Sequence, residues 1–288
     1  MATLILSILR LFFVENADDK WNNALNIKIM AITAKNKVLG IDIGGSGVKG
    51  AIVDIKKGEF ASERVRIPTP VPATKEGLIA AIGEIIKTLN WKGKIGCGFP
   101  GIVKDQVIES AANLGDDVFR GTNLAEEIGR NFGNDAWIIN DGDAAGLAEL
   151  YFGAAKGRKG TVIMLTIGTG IGSAILFDGH LLPNSELGHI RVADPKKKGK
   201  AISAEKLYSD AARKKFEYGW KQWAVKFNEY IAYVERLFSP NLIVLGGGAA
   251  AKADKYFKYL HSTCDIAIAD LENKAGIIGA AYRAHQKL

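Results

Sequence analysis

Cysteine and proline are scarce in this sequence, and both shortages narrow the class of protein. Two cysteines among 288 residues, Cys97 and Cys264, are too few for a disulfide framework or a cysteine-ligated metal cluster, which indicates a reducing compartment such as the cytoplasm. Only 7 prolines accompany 33 glycines, a ratio that suits an α/β protein with many tight turns. With 48% apolar residues, the chain can bury one large core or two medium ones.

The sequence also has no apolar run long enough to cross a bilayer. The most apolar stretch near the start, residues 3–14, is well short of the roughly 20 residues of a membrane helix. It has no basic n-region or small-residue cleavage site, and acidic residues follow it, so it fits neither a signal peptide nor a transit peptide. We predict that residues 1–36 are an extension outside the fold and expect no membrane partner. For residues 1–29, the alternatives are a mistaken start and a weak amphipathic anchor.

Positive charge is concentrated in one part of the chain. The formal net charge is +7, and the span from Arg191 to Lys221 holds ten Lys or Arg against four Asp or Glu, a surplus of six. Such a run is most often a solvated surface, although it can also bind a polyanion. Because no known nucleic-acid module with base-reading side chains is present, we expect no nucleic-acid partner.

Two glycine-rich hairpins of matching length are the most informative feature. Residues 41–54 and 165–178 each contain an apolar strand, a glycine turn with a hydroxyl residue and a second apolar strand, and the turns start 124 residues apart, at Gly44 and Gly168. Glycine permits positive φ and lets backbone N–H groups approach an anion. The spacing excludes a P-loop and does not fit the dinucleotide fingerprint. We predict a duplicated phosphate clamp, with two ordinary hairpins as the alternative.

Local patterns predict several elements around these turns. A third strand is expected at residues 61–67, and a helix capped by Thr74 after it. Apolar residues 136–139 predict a buried strand, and a helix is expected from Ala144 to Phe152. Asn140 and Asp141 therefore stand at the carboxyl end of a strand, where open α/β sheets place ligands, although Asp141 could instead cap the helix.

Five segments together resemble the ROK-family sugar kinases, within the actin-like ATPase superfamily. Residues 42–50 resemble the first phosphate motif of that family, and residues 97–101 resemble its G-x-P-G loop. Residues 140–146 resemble its catalytic segment, residues 186–189 its sugar-binding E-x-G-H, and residues 246–248 its adenosine motif. Ser46 in place of threonine, and the lack of a cysteine-rich zinc motif after His189, narrow the resemblance to the polyphosphate-glucokinase branch. No structural zinc is therefore expected.

The resemblance implies a fold and an assembly. The fold class is α/β, with the two-lobed actin-like ATPase (ribonuclease H-like) architecture and a central cleft. We expect a small lobe at residues 37–141, a large lobe at 142–273 and a closing helix at 274–288. Because family members are usually dimers, a homodimer is expected, with the aromatic helix at 218–238 as its candidate interface.

The resemblance also implies a reaction. We expect a cytoplasmic kinase that transfers a phosphoryl group from polyphosphate, ATP or both to the 6-hydroxyl of glucose. The alternatives are an ATP-only kinase for another hexose, such as mannose or fructose, and a non-catalytic sugar-sensing regulator. The regulators carry a DNA-binding domain before the first turn, for which the residues ahead of Lys37 are too few.

The roles of individual residues follow from the same resemblance. Asp141 is expected to be the catalytic base and Asp42 to hold Mg²⁺ through water. Glucose contacts are expected at Asn113, Asn140, Asp141, Glu186, His189 and Glu205. Contacts to the phosphate donor are expected at Gly44, Gly45, Ser46, Lys49, Thr166, Gly168, Thr169, Gly170, Gly247 and Gly248.

Overall fold

The computed structural model describes residues 36–111, 114–197 and 199–286. The predicted extension, apart from its last residue, lies outside these ranges, as does the predicted sugar contact Asn113. Within the described residues, most strands belong to two sheets of the same topology, one in each half of the chain.

The first half of the chain builds the first sheet. Its elements are β1 (Lys37–Gly44), β2 (Gly47–Asp54), β3 (Glu59–Phe60), β4 (Val65–Ile67), α1 (Lys75–Thr88), β5 (Ile95–Phe99), β6 (Val103–Lys104), β7 (Val107–Ile108), α2 (Asp116–Phe119), α3 (Leu124–Phe132) and β8 (Ala136–Asn140). The strand order is β3-β2-β1-β5-β8, with β4 also paired to β2. Strands β1, β5 and β8 are parallel, so their carboxyl ends meet at one edge.

The second half repeats this arrangement. Its elements are α4 (Asp141–Phe152), β9 (Thr161–Ile167), β10 (Ile171–Phe177), β11 (His180–Leu182), β12 (Arg191–Ala193), β13 (Ala201–Ser203), α5 (Glu205–Tyr208), α6 (Asp210–Lys215), α7 (Trp220–Phe238), β14 (Leu242–Gly246), β15 (Asp265–Ile268) and α8 (Ala275–Gln286). The order β11-β10-β9-β14-β15 again places an antiparallel hairpin beside parallel strands. Both glycine-rich turns therefore connect the first two strands of a sheet.

Sequence pattern explains the long helices. The hydroxyl of Thr74 accepts a hydrogen bond from the N–H of Gly77 at 3.1 Å, which confirms the predicted cap of α1. Helix α7 buries an aromatic stripe, including Trp223, Phe227 and Tyr230, against the second sheet. At the end of that stripe, Leu237 is 59% exposed. No helix among the described residues is long and apolar enough to cross a membrane.

Helices α4 and α8 exchange sheets. Helix α4 follows the first sheet but packs on the second, where a Cβ atom at Gly142 would stand 2.7 Å from the carbonyl oxygen of Ser173. Helix α8 follows the second sheet but packs on the first, where a Cβ atom at Gly96 would collide with the carbonyl oxygen of Ala280. Each of the two helices therefore connects the sheets, and α4 begins at Asp141 directly after β8. The predicted boundaries of the two lobes stay a prediction.

Candidate active site

The Asn-Asp pair lies where β8 passes into α4. Asn140, 4% exposed, caps the helix, because its Oδ1 accepts a hydrogen bond from the N–H of Asp143 at 3.0 Å. Its Nδ2 donates to the carbonyl oxygen of Gly101 at 3.0 Å and to Oε1 of Glu186 at 3.3 Å. The alternative role of Asp141 as helix cap is therefore wrong, and its carboxylate remains available to a ligand.

Asp141 has a perturbed carboxyl group. Burial raises its pKa to about 7, and the negative charges of Asp42 and Glu186 contribute in the same direction. A hydrogen bond of 2.8 Å from the N–H of Gly142 to Oδ1 of Asp141 opposes this rise. A carboxyl group with a pKa near neutrality is suited to general-base catalysis, since it can both accept and release a proton at physiological pH.

Glu186 and His189 face each other on the loop after β11. Nε2 of His189 lies 3.8 Å from Oε2 of Glu186, and the two side chains are 53% and 29% exposed, respectively. Burial raises the pKa of Glu186, and the neighbouring His189 lowers it. A carboxylate and an imidazole so placed can hydrogen-bond two hydroxyls of one sugar ring.

The buried Ser173 on β10 supports the Glu186 loop from below. Its hydroxyl donates to the carbonyl oxygen of Ser185 at 2.7 Å and accepts from the N–H of Leu187 at 2.9 Å. Ser173 is 1% exposed, so these two bonds fix the backbone on both sides of Glu186. Ser173, on the second strand of the second glycine hairpin, thus supports the loop that carries Glu186.

Asp143 and Asn184 have positions in the site for which the sequence predicted no individual role. Oδ2 of Asp143 accepts a hydrogen bond from the N–H of Asn184 at 2.7 Å. The side-chain amide of Asn184 in turn accepts from the N–H of Val103 and donates to its carbonyl oxygen, both at 3.0 Å. Asp143 is 1% exposed, and burial raises its pKa to about 7. These bonds link α4, the Glu186 loop and β6. In the sequence, Asn184 lies 41 residues from Asp143 and 81 residues from Val103. Such distant contacts leave no local signal in the sequence.

The first glycine turn carries charged and polar neighbours. Nζ of Lys49 lies 3.0 Å from Oδ2 of Asp42, and both side chains are partly exposed. The carbonyl oxygens of Gly44 and Ser46 accept hydrogen bonds from the side chains of Thr69 and Arg66, respectively. Neither Arg66 nor Thr69 was predicted, because the sequence does not reveal which strand lies beside the turn.

The second glycine turn meets the triple glycine after β14. The N–H of Ala249 donates to the carbonyl oxygen of Ile167 at 3.1 Å, and Thr166 lies between Gly172 and Gly246 in the sheet register. The second turn and the triple glycine bring together six of the predicted contacts to the phosphate donor: Thr166, Gly168, Thr169, Gly170, Gly247 and Gly248.

Glu205, a predicted sugar contact, lies against this second turn. A Cβ atom at Gly170 would collide with its Oε2, and Nζ of Lys206 lies 3.2 Å from its Oε1. Its charge also contributes to the raised pKa of Glu186. Glu205 therefore stands between the Glu186 loop and the second turn, and its contact with a sugar stays a prediction.

Comparison with known proteins identifies relatives of the whole described fold. The family model described as "ROK family" matches residues 38–212. The polyphosphate glucokinase of Mycobacterium tuberculosis is 39% identical over 250 residues, which cover 86% of this chain and 91% of the relative. The glucokinase of Streptomyces coelicolor is 26% identical over 316 residues and covers 86% and 97%.

Solved structures agree with this placement. The inorganic polyphosphate/ATP-glucomannokinase of Arthrobacter sp. strain KM matches with a TM-score of 0.81 and 41% identity, over 88% of this chain and 99% of that one. A ROK family glucokinase from Streptomyces griseus, in complex with glucose and AMPPNP, shares the fold with a TM-score of 0.72 and 24% identity, over 87% and 99%.

Proposed function

The chain belongs to the ROK family, and we propose that it is a glucokinase that uses polyphosphate, ATP or both to make glucose 6-phosphate. The observation that carries the proposal is the position of Asp141. Its carboxyl group, with a pKa near 7, stands beside Asn140 and Glu186 and within electrostatic range of Asp42 at the first glycine turn. The names of the relatives support the same reaction.

The proposed chemistry is a displacement at phosphorus. The 6-oxygen of glucose attacks the terminal phosphorus of the donor, the bond to the bridging oxygen breaks, and Asp141 takes the proton of the hydroxyl. Asn140, Glu186 and His189 orient the sugar so that only this hydroxyl reaches Asp141. The glycine turns hold donor phosphates by their backbone N–H groups.

The residues at the first turn fit a magnesium ion bound through water. Mg²⁺ in kinases is usually held by one or two carboxylates and by the phosphates of the substrate. The negative charge of Asp42 contributes to the raised pKa of Asp141, and a divalent cation beside Asp42 would reduce this repulsion between the two carboxylates. We propose that Asp42 holds the ion through water. The described residues contain no group of three or more His, Cys, Asp or Glu able to bind a metal without a substrate.

A coupled assay for glucose 6-phosphate, run in parallel with polyphosphate and with ATP, tests the function. The proposal expects turnover with at least one donor that depends on added Mg²⁺. No product with either donor would refute it. Mannose should be tested as a second acceptor, because the Arthrobacter relative is described as a glucomannokinase.

We also propose a homodimer that uses the outer face of α7. Val225 and Leu237 on this face are 57% and 59% exposed, and Tyr233 lies between them at 39%. Light scattering coupled to size-exclusion chromatography tests it, and a monomer at micromolar concentration would refute it.

A further inference from the structure

Three neighbouring strands carry a row of charges beside the first glycine turn. Asp42 lies on β1, Lys49 on β2 and Arg66 on β4. Lys49 and Arg66 are direct partners in the antiparallel register, so their side chains leave the sheet on the same face. Lys49 reaches Asp42 on that face, and the charge of Asp42 contributes to the raised pKa of Asp141. Asp42 is the register partner of Gly98, where a Cβ atom would lie 3.7 Å from Cα of Asp141, so the row lies on the face of the sheet turned toward the proposed catalytic carboxylate.

Like charges directly opposite each other destabilise a pair of strands. Lys49 is partly neutralised by Asp42, whereas no ion pair within 4.0 Å involves Arg66 among the residues that the structure describes. Repulsion between these two facing cations destabilises the fold when no ligand is bound, and an anion bound between them would offset this repulsion.

Arg66 is held in a fixed position. Its Nη2 donates to the carbonyl oxygen of Ser46 at 2.8 Å. A Cβ atom at Gly47 would lie 2.9–3.0 Å from Nε, Cζ and Nη2 of Arg66, so the guanidinium lies directly over this glycine. Any larger residue at position 47 would displace it. The hydrogen bond to Ser46 uses one of the five N–H donors of the guanidinium, and the exposed edge of the guanidinium is left for a ligand.

The same segment also prepares the turn for an anion. Thr69, 7% exposed, donates its hydroxyl hydrogen to the carbonyl oxygen of Gly44, as Arg66 does to that of Ser46. Two carbonyl oxygens that would repel a phosphate are thereby occupied by donors. A planar guanidinium at such a place is suited to bind two oxygens of a phosphate group.

We propose that Arg66 is a donor-binding residue, whose guanidinium holds phosphate oxygens of the phosphoryl donor together with Lys49 at the first glycine turn. The inference rests on the proposed function and adds to it a residue that lies outside the five segments on which the resemblance was based. Because polyphosphate and ATP share the phosphate chain, Arg66 serves both donors.

Steady-state kinetics of Arg66→Gln and Arg66→Lys test the proposal. We expect the KM for polyphosphate and for ATP to rise at least about tenfold in Arg66→Gln, since a charge-assisted contact is lost. The KM for glucose should stay within about twofold. Arg66→Lys should recover part of the donor affinity, because it keeps the charge but not the planar fork. The matched control is Arg64→Gln, a likewise exposed arginine two residues earlier, which should leave both KM values unchanged.

A binding measurement separates this inference from the proposed function. Tripolyphosphate should raise the thermal midpoint of the unmodified protein and of Arg64→Gln, and should raise it much less in Arg66→Gln. An equal rise in all three proteins, or unchanged donor KM values, would overturn the role of Arg66 even in an active glucokinase. A protein that makes no glucose 6-phosphate fails the proposed function, while the tripolyphosphate comparison still decides on Arg66. If Arg66→Gln does not fold, the comparison between Arg66→Lys and Arg64→Gln decides.

Discussion

The side chain of Asn184 pairs with both backbone groups of Val103, accepting from its N–H and donating to its carbonyl oxygen at 3.0 Å each. This pair joins the loop of Glu186, from the second half of the chain, to β6 of the first half. The backbone N–H of Asn184 also donates to Asp143 on α4 at 2.7 Å. One residue thus connects three segments around the predicted sugar site.

Replacing Asn184 with glycine should loosen this connection. Asn184 has a φ of +59°, so glycine keeps the backbone unstrained and removes only the side-chain amide. We expect the KM for glucose to rise about five- to tenfold, since two bridging hydrogen bonds are lost, with little change in the KM of the donor. Titration calorimetry with glucose should show the same loss.

Asn90→Gly is the matched control for that variant. Asn90 also has a positive φ, +46°, and lies exposed in the turn after α1. Its replacement should leave the KM for glucose unchanged. If Asn184→Gly binds glucose as well as Asn90→Gly does, the connection has no role in sugar binding.

Asp141→Asn should remove the proposed base and keep the shape of the site. We expect kcat to fall by a factor on the order of 10²–10⁴, with a modest change in the KM for glucose, because an amide can still hydrogen-bond the hydroxyl. The coupled assay measures both constants. Turnover within a factor of about three of the unmodified protein would rule out Asp141 as the base.

The stability of the same variant should depend on pH in a defined direction. The pKa of Asp141 in the fold is raised from 3.8 to about 7, so the folded protein binds the proton more tightly than the unfolded chain. Between about pH 4 and 7, ionisation of this group therefore lowers the free energy of unfolding as the pH rises. The amide of Asp141→Asn cannot ionise, so the variant should be more stable than the unmodified protein at pH 8, by about 1 kcal/mol or more.

Thermal unfolding at several pH values measures this difference. The two proteins should have similar midpoints near pH 4, and the gap in favour of the variant should widen toward pH 8. Asp143→Asn is not a suitable reference, because the pKa of Asp143 is also raised to about 7. A gap that is the same at pH 4 and pH 8 would mean that Asp141 does not ionise with a raised pKa in the fold.

The pH dependence of catalysis should show the same pKa. Because the proposed base acts in its deprotonated form, kcat/KM for glucose should rise with pH up to about 7 and then level off. Asp42→Asn removes one of the negative charges that raise this pKa, so the inflection should move to lower pH even if activity falls. An inflection that stays in place would show that Asp42 does not act on Asp141.

The sequence predicted the fold and much of the candidate site because both depend on local patterns. The ROK resemblance is confirmed by the family model, and the cap of α1 by Thr74 is confirmed by its hydrogen bond. The helix after β8 begins at Asp141 rather than Ala144, because Asn140 caps it. Gly142 hid the first turn of this helix, since glycine has low helix propensity, yet it is needed for the close approach to β10.

Contacts that depend on strand pairing could not be predicted. The single strand expected at residues 61–67 divides into β3, ahead of that range, and β4 within it. Between them the N–H of Ile52 donates to Oγ of Ser62, which interrupts the pairing with β2. This division sets the register that places Arg66 opposite Lys49. A pattern of residues along the chain does not contain that register, so Arg66 emerged only from the structure.

The last prediction concerns the basic turn between β12 and β13. Lys196, Lys197 and Lys200 are exposed there, and Nζ of Lys196 lies 5.2 Å from the centre of the Phe216 ring. If these lysines guide polyphosphate, their joint replacement by serine should raise the KM for polyphosphate far more than that for ATP. The reason is that a long polyanion contacts many cations at once, whereas the proposed site holds a triphosphate by the two glycine turns alone.

Salt dependence gives the second measurement for this turn. Exposed charges are screened beyond about 8–10 Å at 0.1–0.15 M salt, so the KM for polyphosphate should climb with ionic strength in the unmodified protein and less steeply in the variant. Replacement of Lys156 and Lys159, which are exposed in the loop before β9, is the matched control for a loss of positive charge elsewhere. Equal effects of both sets of replacements, or equal effects on the two donors, would mean that the β12–β13 turn is only a solvated surface and that the donor chain leaves the site by another route.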